Sequence, residues 1–84
     1  MIPRIKELKP LDNFSLSVLF DDGRKIIYDV KSDIDEIESY KPLMTVPGLF
    51  HCVQLDKSRT CVFWNDEIDL PSDMLYEYGT PDIS

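Results

Sequence analysis

Two alternating segments, residues 14–20 and 24–30, joined by Asp21-Asp22-Gly23, constrain the fold more than any other part of this chain. Phe14, Leu16, Val18 and Phe20 alternate with Ser15, Ser17 and Leu19, the period-two pattern of a strand with one buried face. A two-residue Asp22-Gly23 turn would set Phe20 opposite Lys25 and Leu16 opposite Asp29, mixing apolar and charged side chains on one face. A three-residue loop closed by a left-handed Gly23 instead pairs Phe20 with Arg24, Val18 with Ile26, Leu16 with Tyr28 and Phe14 with Val30. Every inward position except Arg24 is then apolar. Leu19 and Ile27 fall on the outer face, where a helix, a second copy or a partner would have to cover them.

The remaining elements follow from turn and cap residues. Arg4 to Leu8, ending at Pro10, reads as a first strand near a sheet edge, and Asp12-Asn13 turn the chain into the hairpin, giving a three-stranded antiparallel meander. Ser32 as N-cap, with Asp35 and Glu36 in the first turn, starts a short helix with Ile34 and Ile37 as its apolar stripe. Pro42 disfavours helical geometry at Lys41, and Leu43 and Met44 start a second turn ended by Pro47-Gly48.

Residues 50–55 and 60–64 form a second β-hairpin around the turn-rich stretch 56–59, with Gln54 opposite Cys61 and Cys52 opposite Phe63. Val53, Leu55, Val62 and Trp64 share one face, with His51 and Thr60 toward its ends. After a brief extended Ile68-Asp69, Pro71 opens a short C-terminal helix, capped by Asp69 or Leu70 and closed by Gly79. The expected architecture is α+β, a single domain over residues 1–79 with a flexible tail over 80–84. Its core is Phe14, Leu16, Val18, Phe20, Ile26, Tyr28, Val53, Leu55, Val62, Trp64 and Leu75.

Nine basic against sixteen acidic residues give a net charge of −7, which repels phosphate backbones and tells against direct nucleic-acid binding. The same surface would attract a basic protein. Charges at Arg4 and Lys6 fall where a signal peptide needs an apolar run, and no stretch reaches the roughly 20 apolar residues of a membrane span, so a cytoplasmic protein with reduced Cys52 and Cys61 is expected.

No residue pattern carries chemistry. Asp66, Glu67, Asp69 and Asp73 lack the glycine and ligand spacing of a calcium loop, and Asp21 and Asp22 are turn formers. On a strand His51 and Cys52 would point to opposite faces, and Cys61 would lie away from His51, so no activated thiol is expected. No catalytic residue, metal or cofactor is assigned.

Several blocks carry a resemblance: Pro3-Arg4-Ile5, Leu11-Asp12-Asn13-Phe14-Ser15-Leu16, Phe20-Asp21-Asp22-Gly23, Tyr28-Asp29-Val30, Pro42-Leu43, the stretch 50–53, Trp64, and Asp69-Leu70-Pro71-Ser72-Asp73-Met74-Leu75-Tyr76. Over Pro3 to Tyr78 the chain resembles the small bacterial family known as domain of unknown function 2442. The resemblance implies an α+β domain of short strands with one or two helices and no established catalytic residues. It also implies genes that often lie beside another small protein in a toxin-antitoxin-like arrangement, and members that stand alone or join a helix-turn-helix module. Here Asn65 and Glu67 stand where the family usually has proline and then glycine, and residues 33–41 are more acidic than its pattern.

The expected function is an acidic protein-interaction domain, antitoxin-like or an adaptor, for a small basic partner. Leu19, Ile27, Asp33, Asp35 and Glu36 are its candidate surface. The alternatives are a small-molecule or metal-binding regulatory domain with Trp64, Asp66 and Asp69 at a pocket mouth, or a homo-oligomer.

Overall fold

In the computed structural model, which describes residues 2–82, the alternating pair becomes β2 (Ser15–Phe20) and β3 (Lys25–Asp29). Leu16 lies opposite Tyr28, Val18 opposite Ile26, and the Phe20 amide donates to the Arg24 carbonyl. The expected register holds because Gly23, at a φ of 90°, supplies the left-handed residue a three-residue loop requires. β1 (Ile5–Leu11) and β7 (Thr80–Pro81) complete a four-stranded antiparallel sheet in the order β1-β2-β3-β7.

Both flanking strands differ from expectation. β1 runs through Pro10, which sits opposite Leu16, because an edge strand has no outer ladder that needs the missing amide. Exposed Lys6, Glu7 and Lys9 and an irregularity between Ile5 and Glu7 blunt that edge. Thr80 and Pro81, expected in a tail over 80–84, instead pair with Ile27 and Ile26, and the Asp82 amide donates to the Lys25 carbonyl. Residues 83 and 84 lie outside the described residues.

Between β1 and β2, Asp12–Phe14 form a 3-10 turn in which Asn13 and Phe14 are both left-handed, at φ of 63° and 58°. Asparagine tolerates this, whereas a bulky phenylalanine carries strain of about 1–3 kcal/mol. The Phe14 ring, edge-on to Phe50 at 5.4 Å, and its carbonyl, which accepts from the Val30 amide, hold it there.

The helical segment is more broken than expected. The expected Ser32 cap is not formed: Val30 precedes α1 (Lys31–Glu36) without a side-chain cap, and the Asp29 carboxylate accepts from the Lys31 amide and the Ser32 hydroxyl. The chain leaves helical geometry at Ile37, makes a 3-10 turn over Glu38–Tyr40, and starts α2 (Pro42–Thr45) with Lys41 helical after all. Pro42 is tolerated at the first position of α2, where no amide is needed. Ile34, Tyr40 and Leu43 are buried, while Ile37 is exposed.

The second sheet, in the order β4-β5-β6, comprises β4 (Gln54–Leu55), β5 (Cys61–Asn65) and β6 (Ile68–Pro71). Only its last two residues make the expected strand 50–55 extended; Phe50–Cys52 is a 3-10 turn. The cause lies in tertiary contacts. The Trp64 indole N–H donates to the Phe50 carbonyl at 2.8 Å, and the Phe50 ring is buried against Phe14 and Trp64.

The hairpin register is two residues from that expected, with Gln54 opposite Phe63 and Leu55 opposite Val62. Asp56 lengthens the loop by accepting from the Thr60 and Cys61 amides, with Arg59 left-handed at a φ of 61°. A shift of two preserves the faces, so Val62 and Trp64 remain buried. Pro71 is extended and precedes α3 (Ser72–Tyr78) instead of opening it.

One apolar cluster joins both sheets and all three helices. It contains Leu16, Val18, Phe20, Ile26, Tyr28, Val62, Trp64 and Leu75, with Phe14, Val53 and Leu55 half-buried at its border. Val30, which the expected register already places inward, and Ile34, from the expected apolar stripe, join it, as do Ile5, Tyr40, Leu43, Phe50, Ile68 and Leu70, which the expected core lacks. α3 reaches β3 because Gly79 lacks a side chain. A Cβ there would lie 2.5 Å from Ile26 Cδ1, so close approach and not a left-handed cap explains this glycine.

Candidate functional site

The expected interaction residues are dispersed. Asp35 and Glu36 on α1, with Glu38 beyond it, are exposed and have no ion-pair partner among the described residues, where the pairs are Lys25–Asp82 and Arg59–Asp21. Asp33 is engaged internally: its carboxylate accepts from the Tyr28 hydroxyl at 2.6 Å, and burial together with this bond pushes the Tyr28 phenol well up. Ile27 and Asp33 line one cleft of about 460 Å³ with Met74 and Tyr78. Leu19 is half-buried on the outer face of the first sheet and lines none of the three clefts described.

Sequence reasoning missed the exposed apolar side chains of the same helical segment. Ile37, Met44 and Val46 are 38%, 43% and 47% exposed. Met44, Val46 and Pro47 face Asn13, Phe14 and His51 across a cleft of about 270 Å³. The sequence did contain a sign of this: the Met44 to Gly48 stretch is apolar in a place where neither strand nor helix periodicity assigns it an inner face.

The alternative pocket is not assembled. Trp64 is buried and its indole N–H is spent on Phe50, Asp66 is exposed in the turn after β5, and Asp69 is exposed on β6 between buried Ile68 and Leu70. The Asp69 carbonyl accepts from the Tyr40 hydroxyl, and Asn65 closes the turn by accepting from the Glu67 and Ile68 amides. None of Trp64, Asp66 and Asp69 lines any of the three clefts. Burial pushes the Cys61 thiol up, which lowers its nucleophilicity, and His51 and Cys52 are exposed in a 3-10 turn. Among the described residues no group of three or more His, Cys, Asp or Glu side chains could hold a metal.

A third cleft, of about 700 Å³, is lined by Arg4, and Arg59 and Arg24 contact its lining residues Asp21 and Tyr76. Ile2, Pro3, Phe20 and Tyr76 form its apolar walls, with Arg4, Asp21, Asp22 and Thr60 as its polar groups. Both oxygens of Asp21 accept from the Arg59 guanidinium, at 2.8 and 2.9 Å. Asp22 accepts from the Tyr76 hydroxyl at 2.7 Å and from the Arg24 amide at 2.9 Å, contacts that hold its carboxyl below the usual range and raise the Tyr76 phenol.

Arg24 lies over the Tyr76 ring at 4.6 Å, and Tyr76 meets Phe20 edge-on at 4.9 Å. Arg24 is the single charged residue on the inward face of the hairpin, and that was the available sign of this cluster in the sequence. Asp21 and Asp22 are therefore more than turn formers.

Two antiparallel sheets and three short helices define a small α+β domain. The chain belongs to the family described as protein of unknown function (DUF2442), whose model matches residues 5–81. No curated protein matches the chain, and no solved structure does. Three of the blocks that carry the resemblance, Pro3-Arg4-Ile5, Phe20-Asp21-Asp22-Gly23 and the segment ending in Tyr76, meet at the arginine cleft. No helix of the described residues is long and apolar enough to cross a membrane.

Proposed function

We propose that this chain is a protein-interaction module whose docking face is the helical segment from α1 to Pro47, and whose partner is a small basic protein. One observation carries it: Ile37, Met44 and Val46 are exposed within the same short segment as Asp35, Glu36 and Glu38, which lack counter-ions among the described residues. Carboxylates in a chain of net charge −7 steer a basic protein into encounter, and apolar side chains beside them supply contact area to be buried. Of the residues first expected on this surface, Asp35 and Glu36 belong to it, while Asp33 serves the Tyr28 contact. An antitoxin-like or adaptor role in the cytoplasm fits such a module.

The test is affinity purification of the tagged protein beside an Asp35→Lys/Glu36→Lys variant, at low and moderate salt. The proposal expects a basic protein held in stoichiometric amount by the wild type at low salt and lost from the variant. Equal capture by both forms, or recovery of the chain alone or only with copies of itself, would count against it.

A further inference from the structure

We propose that the arginine cleft binds a small monocarboxylate with an apolar or aromatic body, held by Arg4. Asp21 is paired bidentately with Arg59, and Asp22 accepts from the Tyr76 hydroxyl and the Arg24 amide, so both carboxylates of the lining are already engaged. The charged side chain of the lining left unengaged is Arg4, which has no hydrogen bond or ion pair among the described residues. A planar guanidinium in this position matches a carboxylate in shape and in its single charge. A dianion such as phosphate would add a second negative charge beside Asp21 and Asp22.

The backbone that carries Arg4 is fixed before any ligand arrives. The Pro3 carbonyl accepts from the Ser72 hydroxyl at 2.6 Å, the Arg4 carbonyl from the Asp21 amide at 2.9 Å, and the Ile5 amide donates to the Arg59 carbonyl at 2.7 Å. Ser72 is fully buried and its own amide is bonded to Thr60. Such fixing lowers the ordering cost of binding. Between these charges the walls are apolar, and Ile2, 61% exposed, is the side chain a ligand body would cover. The volume of about 700 Å³ lies within the range of small-molecule sites.

The site shares no residue with the helical docking face, so the two proposals stand or fall separately. The experiment is a titration of the isotope-labelled full chain with 3-phenylpropionate, its neutral amide and inorganic phosphate, followed by amide resonances. The expected result is saturable shifts at residues 2–5, 20–24 and 76 with the acid at millimolar concentration, weakened by about tenfold for the amide and for Arg4→Gln. Arg4 makes no side-chain contact that folding requires, so the variant's spectrum elsewhere should match the wild type. Equal binding of acid and amide, tighter binding of phosphate, unchanged binding by Arg4→Gln, or no saturable shift at these residues would overturn the proposal.

Discussion

Around the arginine cleft Asp21 is paired with Arg59, Asp22 is hydrogen-bonded by Tyr76 and the chain is fastened at Pro3, Arg4 and Ile5, whereas the helical segment is anchored by Ile34, Tyr40 and Leu43 and holds Asp35, Glu36 and Glu38 without counter-ions among the described residues. One region is fixed mainly by polar contacts between residues far apart in sequence, the other mainly by apolar side chains from one short stretch, with the Tyr40 hydroxyl bonded to the Asp69 carbonyl. Fixed geometry suits a small ligand that needs convergent groups. A segment of short turns with exposed apolar side chains suits a protein surface to which it can adjust.

The largest effect should come from removing an apolar anchor. Leu43→Ala deletes a fully buried side chain and should cost about 2–5 kcal/mol, read as a lower denaturant midpoint. If the anchors hold this segment, its amides should exchange faster than those of β2 and β3 in that variant. A uniform change across both regions would erase the distinction drawn here.

Next in size is Ser72→Ala, which removes the donor to the Pro3 carbonyl from a fully buried position. A loss of about 1–3 kcal/mol is expected, with resonance changes centred on residues 3–5. The helical segment should be unaffected.

Much of the first sheet could be read from the sequence because its determinants are neighbours. Alternation over residues 14–20 and a glycine able to adopt a φ of 90° decide the β2–β3 register between them. The second hairpin was misread because Phe50 is turned into a 3-10 helix by Trp64, and because Asp56 reaches over its own loop to Cys61. The start of α1 differs for a similar reason: the Ser32 hydroxyl donates to Asp29, at the end of a strand, instead of capping the helix.

The site was harder still. Arg4, Arg24, Arg59 and Tyr76 converge only after both sheets have closed, and no local pattern reports such a meeting. Arg24 on an otherwise apolar face was the exception that pointed there.

A smaller effect sharpens the electrostatic side of the comparison. In the folded state Asp22 is depressed, chiefly by the Tyr76 hydroxyl, so its contribution to stability is present above the ordinary carboxylate pKa and lost as the pH falls through the lowered value. Tyr76→Phe should return the Asp22 titration toward the ordinary range, read from its carboxyl resonance, and flatten the acid limb of the stability curve. An unchanged titration would mean that another group holds Asp22. Smallest of all should be the effect of Asp35→Lys/Glu36→Lys on stability, within about 0.5 kcal/mol by denaturant midpoint, because both side chains are exposed.

The most direct measurement for the central claim is hydrogen exchange of the chain alone and in complex with the basic protein it captures. The proposed docking face requires new protection over residues 35–38 and 44–46, with the outer face of the first sheet at Leu19 and Ile27 unchanged. Protection at Leu19 and Ile27 instead, or none at residues 35–47, would contradict it.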